Sequence, residues 1–380
     1  MTVSADIAVV GAGVGGLWIA HKLRADGYSV VVVSDGPPGE GQTIASQGIV
    51  HSGLKYALGG ALSSASERIA DMPDYWRRCV EGKADVDLRN VRMAQDRFFM
   101  MTDGSVTSRL TAFFGGQLTA GRSRRLQAAE YPDALHNASF RGTVFEMSDF
   151  ALDTESLVLA LCKDLTVVQG RATPCCDGER IDRLELDTGA RVAAQHYVLA
   201  AGSGNETLIA ASGLPWKTQR RPLCQVSVHG THLPPLYAHA VSLRHGSKPR
   251  VTITSHEDPN GQVVWYLGGS VAETGVERRD AEQSDFARAE LLELFPWIEA
   301  LREADFRCHR IDRAEPAANL QRPDEPVCLT RGNVSACWPI KLTMAPMLAN
   351  QVSAAVGELK PCTPQPAPAQ AGKTARPPWC

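Results

Sequence analysis

The sequence predicts an α/β protein: a parallel sheet carrying a nucleotide-binding loop, with antiparallel strands added to it. Three observations predict this. A β-α-β unit with the glycine pattern Gly11-Ala-Gly13-Val-Gly15-Gly16 lies near residue 10. A second apolar run ending in glycine, Tyr197-Val-Leu-Ala-Ala201-Gly202-Ser-Gly204, lies mid-chain. Residues from about 221 to 269 alternate apolar and polar, as in Arg250-Val-Thr-Ile-Thr254 and Gln262-Val-Val-Trp-Tyr-Leu267, the period of half-buried antiparallel strands.

Taken in order, Asp6–Val10 reads as a buried strand. A helix follows from about Gly16 to Ala25, with Leu17, Ala20 and Leu23 on one face. Gly27-Tyr28 ends it, and Ser29–Val33 is a second, wholly apolar strand of parallel-sheet type. Within the loop, Gly11 permits the tight turn, Gly13 lets the backbone approach a pyrophosphate, and Gly16 lets helix pack on strand. The helix start offers free N–H groups and partial positive charge to phosphates. Residues 85–150 break into short polar segments with several arginines. A helix is expected over Leu152–Leu161, capped by Asp153 or Thr154. Ile181–Leu186 and the strand after Thr188-Gly189 form a hairpin leading to Gly202. Helices are expected at Asp285–Leu294 and Leu342–Val356. Residues 359–380, rich in Pro and Ala, carry no periodicity and are expected to be disordered.

The chain has 380 residues, room for two domains. Hydrophobic residues at 44% and charged residues at 21% allow a sizeable core. A formal charge of −3 leaves no electrostatic footprint for nucleic acid. The run Gly121-Arg-Ser-Arg-Arg125 reads as a solvated loop. Ile7–Val10 is too short for the core of a signal peptide, and no apolar run is long enough to span a membrane. The ten cysteines are scattered, without CxxC or zinc spacing, so reduced thiols and no metal are expected. The expected compartment is the cytoplasm, with a peripheral place at the inner face of a membrane left open.

A third candidate piece, Gly332-Asn333 followed by Lys341-Leu342-Thr343-Met-Ala-Pro346, lies far from the first two. A chain that returns twice to one nucleotide site suggests a long cofactor, with FAD the leading candidate. Together with Ala45-Ser46-Gln-Gly48-Ile-Val-His51-Ser-Gly53-Leu-Lys55-Tyr56, these segments resemble the D-amino-acid-oxidase/glycerol-3-phosphate-dehydrogenase superfamily of FAD-dependent oxidoreductases. The stretch from His51 to Tyr56 looks most like the glycerol-3-phosphate and L-2-hydroxyglutarate dehydrogenase branches. The resemblance implies a Rossmann-like FAD-binding domain (residues 1–84, 150–214 and 312–358) with an inserted antiparallel substrate domain (85–149 and 215–311). It implies hydride transfer from a small polar substrate, a 2-hydroxy acid or polyol phosphate, to flavin, with oxygen, a quinone or a carrier protein as electron acceptor. An amine or amino-acid oxidase of the same superfamily is the alternative, followed by a flavoprotein acting on tRNA or one with non-catalytic FAD. Two positions depart from the family pattern. Ser34 stands where an acidic residue binds the adenosine ribose, so either Asp35 reaches the ribose or Ser34 makes a weaker contact. Arg313, expected to clamp a substrate anion, is slightly out of register.

Flavin reduction places negative charge on the pyrimidine end of the ring. Lys341 and the N–H groups of a helix starting near Thr343 suit its stabilisation, although an ordinary capped helix with a surface lysine has the same sequence. His51 is the first candidate for proton transfer; the alternatives are a hydrogen bond or a covalent link to the flavin. Lys55 and Tyr56 could hold a substrate carboxylate or phosphate. His256 is a second acid/base or substrate-binding candidate, or else a loop residue. The run Gly268-Gly269-Ser270 would leave space over the ring, or form a plain turn.

Overall fold

The computed structural model describes residues 2–54, 69–102, 123–242, 248–319, 323–367 and 372–380. The Lys55 and Tyr56 candidates lie outside the described residues.

Four consecutive valines, Val30–Val33, are fully buried in strand Val30–Ser34, which needs apolar cover on both sides. Among the described residues that strand lies in an eight-stranded sheet whose main path runs Ala172–Asp177, Arg180–Leu186, Arg191–Leu199, Thr2–Val10, Val30–Ser34 and Thr166–Gln169, with Val334–Trp338 and then Val327–Arg331 branching from Arg191–Leu199. The Arg191–Leu199 strand divides its outer edge. Arg191 and Val192 pair with the hairpin strand, and Tyr197–Leu199 pair in parallel with Val334–Ala336. Strands ending at Val10, Ser34, Leu199 and Trp338 therefore run in parallel and finish at one end of the sheet. Helices Val14–Ala25 and Ala345–Val356 cover one face through Leu17, Leu23, Leu348 and Val352. The other face packs Tyr197, Leu199, Leu208 and Trp338.

The second eight-stranded sheet runs Asp305–Pro316, Thr218–His229, Val263–Gly268, Val251–Glu257, Ala238–Val241, Phe98–Thr102, Val144–Met147 and Ser123–Arg125. Helix Asp280–Leu294 buries Ala287, Leu291 and Leu294 among Val226, Trp265 and Phe295. The boundary expected after residue 311 falls inside strand Asp305–Pro316, which pairs with Thr218–His229 along its whole length. A small sheet of Ile49–Val50, Phe150–Leu152 and Met93–Gln95 joins the two halves. Asp153 caps helix Thr154–Cys162, accepting from Ser156 N at 2.8 Å. Ser123–Arg125 is an edge strand rather than a loop, and Arg124 bridges Glu130 and Glu146.

Residues 359–367 and 372–380, expected to be disordered, dock on the protein. Among these described residues there is no helix or strand, in keeping with the prolines, and docking is by side-chain and backbone bonds that carry no periodicity. Cys362 N and Thr363 N donate to Asp6 Oδ1 at 3.0 and 2.9 Å. The Gln365 amide bonds both Val30 N and Val30 O. Thr166 Oγ1 donates to the Pro366 and Ala367 carbonyls. Burial raises the Asp6 pKa, but hydrogen bonds from Cys362, Ser29 and Thr363 outweigh it and hold Asp6 at about 2. Among the described residues no helix is long and apolar enough to cross a membrane.

Candidate active site

The carboxyl ends of the parallel strands open into a cleft of about 780 Å³ that continues under the second sheet. Such a crevice is the usual ligand site of open α/β sheets. At Gly11, φ is +117° and a Cβ would lie 2.4 Å from Ala200 O. At Gly16, a Cβ would lie 2.0 Å from Gly11 O. Any side chain at either position would push the helix start off the strand ends. Gly13 and Gly15 line the cleft, and Val14 N donates to Thr43 Oγ1 at 3.0 Å. The next amides of this first turn have no helical carbonyl to bond. Ser34 and Asp35 both border the cleft. The Ser34 hydroxyl donates to Gly36 O at 2.9 Å, whereas Asp35 is exposed at the rim.

Ala45, Ser46, Gly48, Ala201, Gly202, Lys341 and Leu342 also line the cleft. Gly48 takes φ +67°, and a Cβ there would meet Leu152 O at 2.0 Å. Asn205, fully buried, ties the second and third motifs together. Its Oδ1 accepts from Ala201 N at 2.8 Å, and its Nδ2 donates to Cys337 O at 3.1 Å. Lys341 N donates to Pro339 O at 2.7 Å around Ile340, whose φ of +63° is unfavourable for a β-branched residue. Thr343 is the middle residue of the single helical turn Leu342–Met344 ahead of Ala345–Val356 and is fully buried. Its Oγ1 accepts from His51 N at 2.9 Å.

Gly332 and Asn333 do not join this cleft, which corrects their assignment to the cofactor. They form the turn between Val327–Arg331 and Val334–Trp338, at the amino end of the strand whose carboxyl end borders the cleft. Gly332 supplies φ +57° for that turn. Asn333 clamps Ile181, accepting from its N–H at 3.0 Å and donating to its carbonyl at 2.8 Å.

His51 borders the cleft, with Nδ1 3.1 Å from Asp149 Oδ2. Asp149 is fully buried and also accepts from Ser52 N at 2.8 Å and from Ser52 Oγ. Burial alone would raise its pKa. The bonds from His51 and Ser52 outweigh that and hold the carboxyl below its ordinary value. His239 stands beside this pair, and ligand atoms of all three residues lie within 4.8 Å of one another. His256 is not a cleft-lining residue, which corrects its place as a second acid/base group. It sits inside strand Val251–Glu257, bonded to Thr254 Oγ1 and covered by Trp379, and burial pushes its pKa down to about 3. The space expected at Gly268 is filled, since a Cβ there would meet Gln47 Oε1 at 2.4 Å. Gly269 forms a turn with φ +81° ahead of helix Ser270–Thr274. Arg313 borders the cleft, donating to Arg221 O at 3.2 Å, with Glu273 at 3.6 Å.

A glycine loop that admits no Cβ at Gly11 or Gly16, a helix start facing it and a cleft of this volume fit an extended dinucleotide. The chain matches the DAO family, FAD-dependent oxidoreductases, over residues 6–319. It belongs to that family. A probable FAD-dependent oxidoreductase of Pseudomonas aeruginosa PAO1, PA4991, is 41% identical over 361 residues, covering 93% of this chain and 91% of that one. The crystal structure of that Pseudomonas protein superposes with TM-score 0.82 at 36% identity over 100% of this chain and 97% of its own. Glycine oxidase from Geobacillus kaustophilus shares the fold at TM-score 0.68 and 15% identity, covering 94% and 95% of the two chains. L-amino acid deaminase from Proteus vulgaris, without its specific insertion, does so at 0.65 and 16%, covering 96% and 92%. The protein is thus an FAD-dependent oxidoreductase enzyme of the DAO family.

Sequence reasoning missed Thr43, Gln47, Asp149 and Asn205. Asn205 follows Gly204 directly and extends the second motif by one residue, a signal that was readable. Asp149 lies in Met147-Ser-Asp149-Phe150, where no spacing marks it, because its partners His51 and Ser52 are almost a hundred residues away.

Proposed function

We propose that this oxidoreductase oxidises a carbon bearing a hydroxyl group in a small polar anion, a 2-hydroxy acid or a polyol phosphate, with His51 as the proton acceptor. Gly11, Gly13, Gly15 and Gly16 would hold the pyrophosphate, Asp35 the ribose, and Ala45–Gly48, Ala201–Gly202 and Lys341–Thr343 the rest of the cofactor. When bound, FAD supplies the hydride acceptor. The His51–Asp149 pair at the cleft carries this reading. A hydroxyl keeps its proton at neutral pH, so losing hydride to give a carbonyl requires a base for the O–H proton. Asp149 holds the His51 ring through Nδ1 and stabilises the imidazolium that forms when His51 takes that proton. Ser52 bonds keep the carboxylate from turning away. Lys341, one residue after the strained Ile340, adds positive charge where electrons arrive.

Oxidation of an amino acid is the second reading, favoured by the names of the glycine oxidase and L-amino acid deaminase that share the fold. An unprotonated amine can lose hydride without a base, so it gives the His51–Asp149 pair no necessary task. Anaerobic titration of the FAD-loaded protein with hydroxy acids, glycerol phosphate and amino acids tests the choice. Bleaching by a hydroxyl compound is expected; bleaching by amino acids alone overturns the proposal. Peroxide formation in air then identifies oxygen as electron acceptor, and its absence points to a quinone or carrier protein.

A further inference from the structure

We propose that residues 372–380 are a latch that retains FAD, with Trp379 as the positioning residue that seats it. The segment crosses from one wall of the cleft to the other. On the cofactor side, Ala375 N donates to Pro38 O at 3.0 Å, just beyond Ser34 and Asp35. On the sheet side, the Trp379 indole lies flat on His256, with ring centroids 3.6 Å apart and planes inclined by 15°. Tyr266 meets the same indole edge-on at 5.0 Å, and Val264 completes the socket. Trp379 is only 3% exposed, an unusual commitment for a side chain in a Pro/Ala-rich segment. Between these anchors Pro378 becomes part of the cleft lining itself.

The same socket explains His256. A histidine held neutral and covered by an indole is a stacking platform, not a proton carrier. Tyr266 extends the link inward, donating to Ala45 O at 3.1 Å and to Gln225 Oε1 at 3.2 Å, both cleft residues. Trp379 thus bears on the segment around Ala45 through Tyr266 and on the cleft wall through Pro378. With the latch docked, the 34–48 segment and the second sheet are fastened together. On this proposal FAD leaves when they part, so undocking of Trp379 precedes release.

The test uses FAD-loaded protein and follows free-flavin fluorescence after dilution. Trp379→Ala and a variant lacking residues 372–380 are expected to release FAD at least about tenfold faster, equivalent to about 1.4 kcal/mol. Trp379→Phe, which retains an aromatic face, is expected to stay near the parent rate. Urea unfolding of the apoproteins separates a latch from general support: losing the segment removes its own docking energy, but both sheets should still unfold in one transition of parent-like steepness. Faster release with a parent-like denaturant slope supports the latch. A parent release rate in both the alanine and truncated variants overturns it, as does faster release accompanied by a broadened or biphasic apoprotein transition. Where the alanine variant fails to fold, the truncated variant decides by the same criteria.

Discussion

Replacing Asp149 with Asn keeps shape and volume but reverses the hydrogen-bond demand on His51. The amide oxygen can still accept from Ser52 N, so the NH₂ group must face His51 Nδ1, now 3.1 Å from a carboxylate oxygen. Two donors cannot share that gap. The imidazole must give up its Nδ1 proton to accept from the amide, so the tautomer that the proposed base requires is lost. A positioned base contributes about 10²–10⁴ in rate, so the reductive step is expected to slow by that factor, about 3–5 kcal/mol of barrier. The assay is stopped-flow bleaching of the FAD-loaded protein under anaerobic conditions with the best hydroxyl substrate. The stability cost is separate: loss of charge-assisted bonds in a buried site should remove about 1–3 kcal/mol, read from urea melts. In the parent, Asp149 has a folded pKa below its unfolded one. Its contribution is complete above the unfolded value and disappears as acid carries the pH down through the folded value. A folded, FAD-loaded Asp149→Asn enzyme that bleaches at the parent rate would refute the role given to His51.

Gly16→Ala forces a Cβ to 2.0 Å from Gly11 O; overpacking of about 1–3 kcal/mol and a pale, FAD-depleted protein are expected, checked by visible absorbance. Asn205→Ala leaves the Ala201 N–H and Cys337 carbonyl without their partner, so stability should fall by about 1–3 kcal/mol with weakened FAD binding, measured by denaturant melts and flavin titration. Asn333→Ala should cost similar stability while FAD affinity stays unchanged, because its bonds to Ile181 lie at the other end of the sheet; weakened FAD binding would restore it to the cofactor site. His256 and His196 are held neutral by burial, at about 3 and about 4. The unfolded chain takes up these protons near pH 6.5, so the urea midpoint should decline as pH is lowered from 6.5 toward 4.

The glycine loop was legible because its constraint is local: backbone contacts within a β-α-β unit dictate both residue type and spacing. Antiparallel strands such as Val251–Glu257 and Val263–Gly268 were legible for the same reason, since alternation is written along each strand. Asp149 and the Trp379 socket were not, because each is assembled from residues far apart in sequence whose individual identities are unremarkable. His256 illustrates the limit. Its place just past the predicted strand Arg250–Thr254 was readable, but the indole covering it comes from a segment whose composition signals no order at all. Gly332-Asn333 illustrates the converse: a turn and a binding loop share the same residues, and only strand direction places this pair at the end of the sheet away from the cleft.

Strand Thr2–Val10 lies between Val30–Ser34 and Arg191–Leu199. During translation its second neighbour arrives about 180 residues later. At roughly 5–20 residues per second, that leaves the growing chain waiting on the order of 10–40 s with one edge of its opening strand unsatisfied. Val334–Trp338 follows later still. The arrangement that gathers remote stretches into one binding crevice therefore also leaves an unpaired apolar strand edge on the nascent polypeptide until its later neighbours emerge.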